Sequence, residues 1–99
     1  MYARLTIAQI KSDLIEDFIK LFKKSVVPAA KLQKGYRGIY LLVDRKTGNG
    51  ISMSLWDSEE DALANERSHY YQEQVAKFFV FYTEEKFPHR EGYEVCVKA

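Results

Sequence analysis

Cysteine, histidine and proline are scarce in this chain, with one, two and two copies among 99 residues, and each scarcity closes a route. A lone Cys96 cannot build a disulfide framework, so a reducing, cytoplasmic setting is expected. Two histidines twenty positions apart, His69 and His89, with no cysteine or carboxylate spacing around them, match no metal-ligand pattern. The TGNG run at 47–50 lacks the helix and lysine that follow a phosphate-cradling loop, and no serine sits in a nucleophile elbow. No cofactor and no metal are therefore expected. Apolar runs are short as well: none approaches the ~20 residues that span a bilayer. The opening MYARLTIAQIK is too short and too polar for a secretory core, so no membrane partner is expected. Charge of one sign is also missing. Fifteen basic residues against fourteen acidic leave a net +1, which argues against nucleic acid as a target. A chain this long makes one domain over 1–99 with a modest core, and any cavity takes volume from that core.

What the chain does have is aromatic side chains, 14% of its residues, with seven tyrosines and six phenylalanines. Tyr2 to Ile10 alternates well enough for a strand. In KSDLIEDFIKLFKK, Leu14, Phe18, Leu21 and Phe22 share one helical face, with acids in the first turn and lysines later, which suits the helix dipole. Pro28 is expected to kink rather than end this helix, which runs on to a C-terminal cap at Gly35. Tyr36 to Asp44 and Ile51 to Asp57 read as a hairpin about the turn RKTGNG. Ser58 and Asp61 make a capping box, opening a helix that breaks near Ser68 and resumes through HYYQEQVAKFFVFY. The loop TEEKFPHREG then leads into a last strand, GYEVCVKA.

The order strand, helix, strand, strand, helix, strand is that of a ferredoxin-like βαββαβ fold of the α+β class, with helices on one face of a four-stranded antiparallel sheet. The pleat divides each strand into two sets. Leu5, Ile7, Ile39, Leu41, Val43, Ile51, Met53 and Leu55 make an aliphatic set expected under the helices. Arg4, Thr6, Tyr40, Leu42, Ser52, Ser54 and Trp56 make a mixed set, too apolar to leave in water. A second sheet from a homodimer partner, or a ligand, is expected to cover it.

The run VVPAAKLQKGYRGIYLLVDRKTGNGISMSLWDSEEDALANERSHYYQEQVAKF resembles the antibiotic biosynthesis monooxygenase family. The resemblance lies in a helix reaching a proline, a Lys-Gly-Tyr-x-Gly turn, a hairpin, and a strand ending in Trp56-Asp57-Ser58. It implies a dimeric α+β barrel and a homodimer. It also implies monooxygenation of small quinols or aromatic polyketides with molecular oxygen and no metal or flavin. Anthrone-oxidising members carry an asparagine four residues before this tryptophan and a tyrosine six after it; here those places hold Ser52 and Ala62. The haem-degrading branch's second tryptophan would fall near Asn65 and is absent. Quinol-type members have two histidines on the following helix, to which Asn65 and, with a one-residue offset, His69 correspond.

The candidate catalytic residues are Trp56, as a pocket wall or simply a packing residue, and His69, as a base or a surface and capping group. Tyr36, Arg37, Tyr40, Asn65 and Tyr70 are candidate contacts for a small aromatic molecule. For Arg37 a salt bridge to a surface carboxylate is the reading placed ahead of a contact at the pocket mouth, and Arg4 has the same two readings. Of Tyr70 and Tyr71, adjacent on one helix, at most one should face the sheet with Val75 and Phe78. His89 reads as solvated, and Cys96 as a small core or barrel residue. The reading from another class is a non-catalytic dimeric barrel, either metabolite-binding or stress-related.

Overall fold

In the computed structural model, residues 1–83, 86 and 88–99 are described, and part of the expected loop over TEEKFPHREG, at 84, 85 and 87, lies outside them. The sheet holds β1 (Tyr2–Gln9), β2 (Tyr36–Val43), β3 (Asn49–Trp56) and β4 (His89–Glu94) in the order β2-β3-β1-β4, antiparallel throughout. Helices α1 (Ile15–Leu21), α2 (Val27–Lys31), α3 (Glu59–Glu66) and α4 (His69–Phe78) cover one face. β4 begins three residues before the expected GYEVCVKA and stops at Glu94, leaving Cys96 exposed rather than in a core.

Local chemistry explains the element ends. The Ser58 hydroxyl accepts the Asp61 N–H at 3.1 Å and starts α3, while Ser68 accepts from Tyr71 and starts α4, so the break expected near Ser68 is a second cap. Gly48, at φ 79°, closes the hairpin turn after Asp44. Between α1 and α2, residues Phe22–Val26 form a π turn, in which the Val27 N–H reaches back to the Phe22 carbonyl. Pro28 has no N–H to continue an α ladder, and it stands at the start of α2 directly after the wider turn, so the helix continues past it rather than ending there, as expected.

The π turn also aims side chains. Each step of four in an α-helix overshoots a full turn by about 40°. Phe18, Phe22, Val26 and Ala30 would therefore spiral off the sheet, but the wider turn winds the line back and all four line the space above it. Phe18 is the hub of the core, with the Phe78 and Phe81 rings edge-on at 5.0 and 5.5 Å and with Ile10 and Ile15 beneath.

The register corrects the expected faces. A bulge between Tyr36 and Gly38 makes Arg37 an extra residue, so Gly38 pairs with Leu55 and Ile39 with Ser54. Without the bulge Ile39 would face the same way as Met53. With it, β2 changes phase, and Ile39, Leu41 and Val43 join the mixed set while Tyr40 and Leu42 join the aliphatic one. The mixed set, not the aliphatic one, lies under the helices. The open face carries the rows Leu5-Met53-Tyr40 and Ile7-Ile51-Leu42. Trp56 is 1% exposed, so its own chain's helices bury it and no partner is needed for that.

Candidate functional site

Four cross-strand rows floor the space under the helices: Tyr2-Trp56-Tyr36, Arg4-Ser54-Ile39, Thr6-Ser52-Leu41 and Ala8-Gly50-Val43. Along β1 and β3 the last three rows present, apart from Arg4, which is drawn to Glu66, only small or hydroxylated side chains where a packed α+β core would place large ones. The helices cannot drop far enough to fill the gap, and a cavity of about 110 Å³ remains. It has two sides. Towards β2 its walls are Ile39 and Leu41 with Phe18, Phe22, Val26 and Ala30; towards β1 they are Arg4, Thr6, Glu66, Tyr71 and Gln74. Trp56 closes one end, with its indole N–H donating to the Ser54 hydroxyl at 2.9 Å and the Tyr36 ring edge-on behind it at 6.3 Å. The indole presents a face to the cavity, its one hydrogen already used.

The polar side is held by an ion-pair network. Glu66, at the end of α3, accepts from Arg4 Nε and, at 3.2 Å, from Arg4 Nη2, and Arg90 of β4 approaches it at 3.9 Å. The Arg90 guanidinium also lies 5.0 Å above the centre of the Tyr71 ring. Gly92 is the neighbour that makes room, since a Cβ there would sit 2.8 Å from Arg4 Nη1. Beside this network the Tyr70 hydroxyl donates to Asn65 Oδ1. That bond leaves the Tyr70 oxygen free to accept and the Asn65 amide free to donate. Burial pushes the Tyr70 hydroxyl up to about 12, with Tyr71 alongside adding to the shift, so it stays protonated at neutral pH. Burial likewise raises Tyr71, and pushes Tyr82 up to about 12.

Of the residues singled out from the sequence, Trp56, Asn65 and Tyr70 come together around the cavity. The others do not. His69 is 88% exposed on the outer side of α4, 3.1 Å from Glu73, so the expected base points into solvent. Tyr40 is 54% exposed on the open face of the sheet. Arg37, bulged out of β2, pairs with Asp57 in solvent, and Tyr36 backs Trp56 without lining the cavity. Tyr70 and Tyr71 both line it: α4 lies over the cavity's edge, and positions 100° apart on a helix reach it from two sides. Glu66 was legible in principle. It is one helical turn beyond Ala62, which is fully buried against the sheet, and so shares its inward side. Among the described residues no cluster of three or more His, Cys, Asp or Glu could hold a metal. Among the described residues no helix is long and apolar enough to cross a membrane.

The antibiotic biosynthesis monooxygenase family model matches residues 1–77. Among solved structures, a variant of SnoaB, described as a cofactor-independent oxygenase from Streptomyces nogalater, superposes with a TM-score of 0.78 at 10% identity, covering 98% of this chain and 94% of that one. Rv0793 from Mycobacterium tuberculosis superposes with a TM-score of 0.76 at 14% identity, covering 99% and 97%. These likenesses show the fold. In sequence, the uncharacterized protein Rv2557 of M. tuberculosis H37Rv is 38% identical over 60 residues, which are 61% of this chain. The match spans 27%, about a quarter, of that protein's own length.

Proposed function

The chain belongs to the antibiotic biosynthesis monooxygenase family, and from that premise we propose that it binds a small aromatic compound in the cavity under its helices and oxidises it with molecular oxygen, without metal or flavin. The observation that carries this reading is the cavity itself, two-sided and walled by Trp56. A ring fits against the apolar side, and its oxygen substituent meets the Asn65–Tyr70 pair. Loss of a proton makes such a ring electron-rich enough to give an electron to oxygen. Radical recombination and loss of water complete the change: in a quinol a ring C–H becomes C–OH while the two hydroxyls become carbonyls, so that quinol and O2 give a hydroxyquinone and H2O. The Asn65 amide would hold the developing oxyanion, and the apolar wall would exclude water from the radical pair.

A homodimer through the open face belongs to the same proposal. Tyr40, Leu42 and Tyr93 stand exposed there beside Leu5, Met53 and Ile51, an apolar surface of the kind a second sheet covers.

One observation favours the reading without turnover, in which the chain only binds its ligand. The carboxylate of the cavity, Glu66, is held by Arg4 and approached by Arg90, and His69 lies outside, so no free base lines the cavity among the described residues. Oxygen uptake with quinols and anthrones, free of metal and flavin, separates the two. Turnover predicts saturable uptake that falls by roughly 10²-fold in Asn65→Ala, is reduced in Tyr70→Phe, and is unchanged in His69→Ala. Uptake at the uncatalysed background for every compound would leave the binding protein.

A further inference from the structure

Phe22 is a wall with empty space on both sides. Its inner side lines the 110 Å³ cavity, and its outer side lines an open groove of about 360 Å³ between the π turn and the edge strand β2. Among the described residues Phe22, Ile39 and Leu41 alone border both spaces. Of these Phe22 is the largest and, at 6% exposed, is firmly held: its ring stacks on Phe18 at 6.4 Å and meets Phe78 edge-on at 6.4 Å. The π turn that begins at Phe22 sets the angle at which the ring enters.

We infer that Phe22 is the specificity-determining residue that limits this site to ligands with a single ring. The inference rests on the cavity being the ligand site. A dry cavity of roughly 150 Å³ is enough to take up one benzene. The space here is of that order, so one six-membered ring is accommodated with small adjustments, whereas a second fused ring directed towards β2 meets the Phe22 side chain. Towards one end stands the buried Trp56 ring, and on the polar side the Arg4–Glu66 pair cannot be displaced without leaving a charge unpaired. Removing the Phe22 ring joins cavity and groove.

The test is the order of affinities of two phenols that do not consume oxygen, 4-methylphenol and 2-naphthol, measured by calorimetric titration of the full chain. Apolar area alone favours the naphthol, so a shape limit shows as a reversed order. The expected result is 4-methylphenol bound at least tenfold more tightly than 2-naphthol by the native chain. The preference should invert in Phe22→Ala and be reduced in Phe22→Leu. Leu41→Ala opens the same partition from the strand side and should shift the ratio the same way, which keeps the test decisive if Phe22→Ala does not fold. The inference is overturned if the native chain binds the naphthol as tightly as the methylphenol or binds neither. It is equally overturned if the affinity ratio is unmoved in the folded variants. Oxygen uptake keeps the two readings apart. Ring-size selection without uptake removes the oxygenase and leaves this inference, while uptake with a three-ring anthrone by the native chain removes this inference and leaves the oxygenase.

Discussion

Filling the cavity should make the protein more stable and less able to bind. Ser52 lies at the middle of the floor, between Thr6 and Leu41, with its side chain under the helices. An enclosed empty cavity costs about 24 cal/mol per Å³; the 110 Å³ here is partly open to solvent, so the packing it withholds is less than the roughly 2.6 kcal/mol of a sealed space of that size. Ser52→Leu puts a side chain into part of that space and removes a hydroxyl from an apolar boundary. Recovery of about half the deficit is expected, roughly 1 kcal/mol. For a domain of this size each kcal/mol moves Tm by about 4–8 °C, so thermal unfolding followed by circular dichroism should show a rise of about that size. Binding of 4-methylphenol should fall by at least tenfold, since the leucine occupies the place of the ring. A gain in Tm with unchanged affinity would mean that the space is only a packing gap and that ligands bind elsewhere. A loss of stability would mean that the helices already rest on Ser52, and would refute the cavity. A site kept open at the expense of stability is the pattern expected where function requires empty space.

Three further outcomes follow from the same geometry. Arg4→Met should cost roughly 2 kcal/mol, less than a fully buried pair because Arg90 still approaches Glu66 and both ends are partly solvated; in urea unfolding the double variant Arg4→Met/Glu66→Leu should regain most of that loss. Stability should fall as pH rises from about 10 towards about 12, because Tyr70 and Tyr82 hold their protons in the folded chain to about 12 whereas unfolded tyrosine releases them near 10.0. The folded state binds more protons in that window, so raising the pH favours unfolding, and Tyr70→Phe should flatten the slope in pH-dependent denaturant melts. Light scattering at micromolar concentration should give twice the 11.6 kDa of one chain, and Leu42→Glu on the open face should return it to the single mass; a native mass of 11.6 kDa would remove the dimer.

The amino-acid sequence by itself determined the elements, their order and the capped helix starts, because these depend on neighbours along the chain, whereas α2 stops at Lys31 rather than at Gly35 and β4 spans His89–Glu94. The Ser58 and Ser68 caps, the hairpin turn, the amphipathic first helix and the α+β order are all local features, and so is the division of each strand into two alternating sets. Which set turns towards the helices was decided only by the tertiary structure. A period of two says that Leu5 and Thr6 face opposite ways but not which way is inward. It also cannot carry phase across a turn when one extra residue, Arg37, enters as a bulge. That single residue puts β2 out of phase with β1 and β3: Ile39 and Leu41 lie under the helices and Tyr40 on the open face, as expected, while Trp56 turns inward and leaves Tyr40 outside the site. The same limit separates Asn65 and Tyr70, which share the cavity, from His69, which does not. Helical spacing puts His69 on the side of α4 away from Tyr71 and Val75, but only the docking of α4 over the sheet tells which side is inside. Glu66 gained its place from Arg4 and Arg90, which are remote in sequence and adjacent in space. The cavity belongs to the same class of facts, since empty volume is set by how far helices can approach a floor of small side chains, and no local stretch of sequence records that distance.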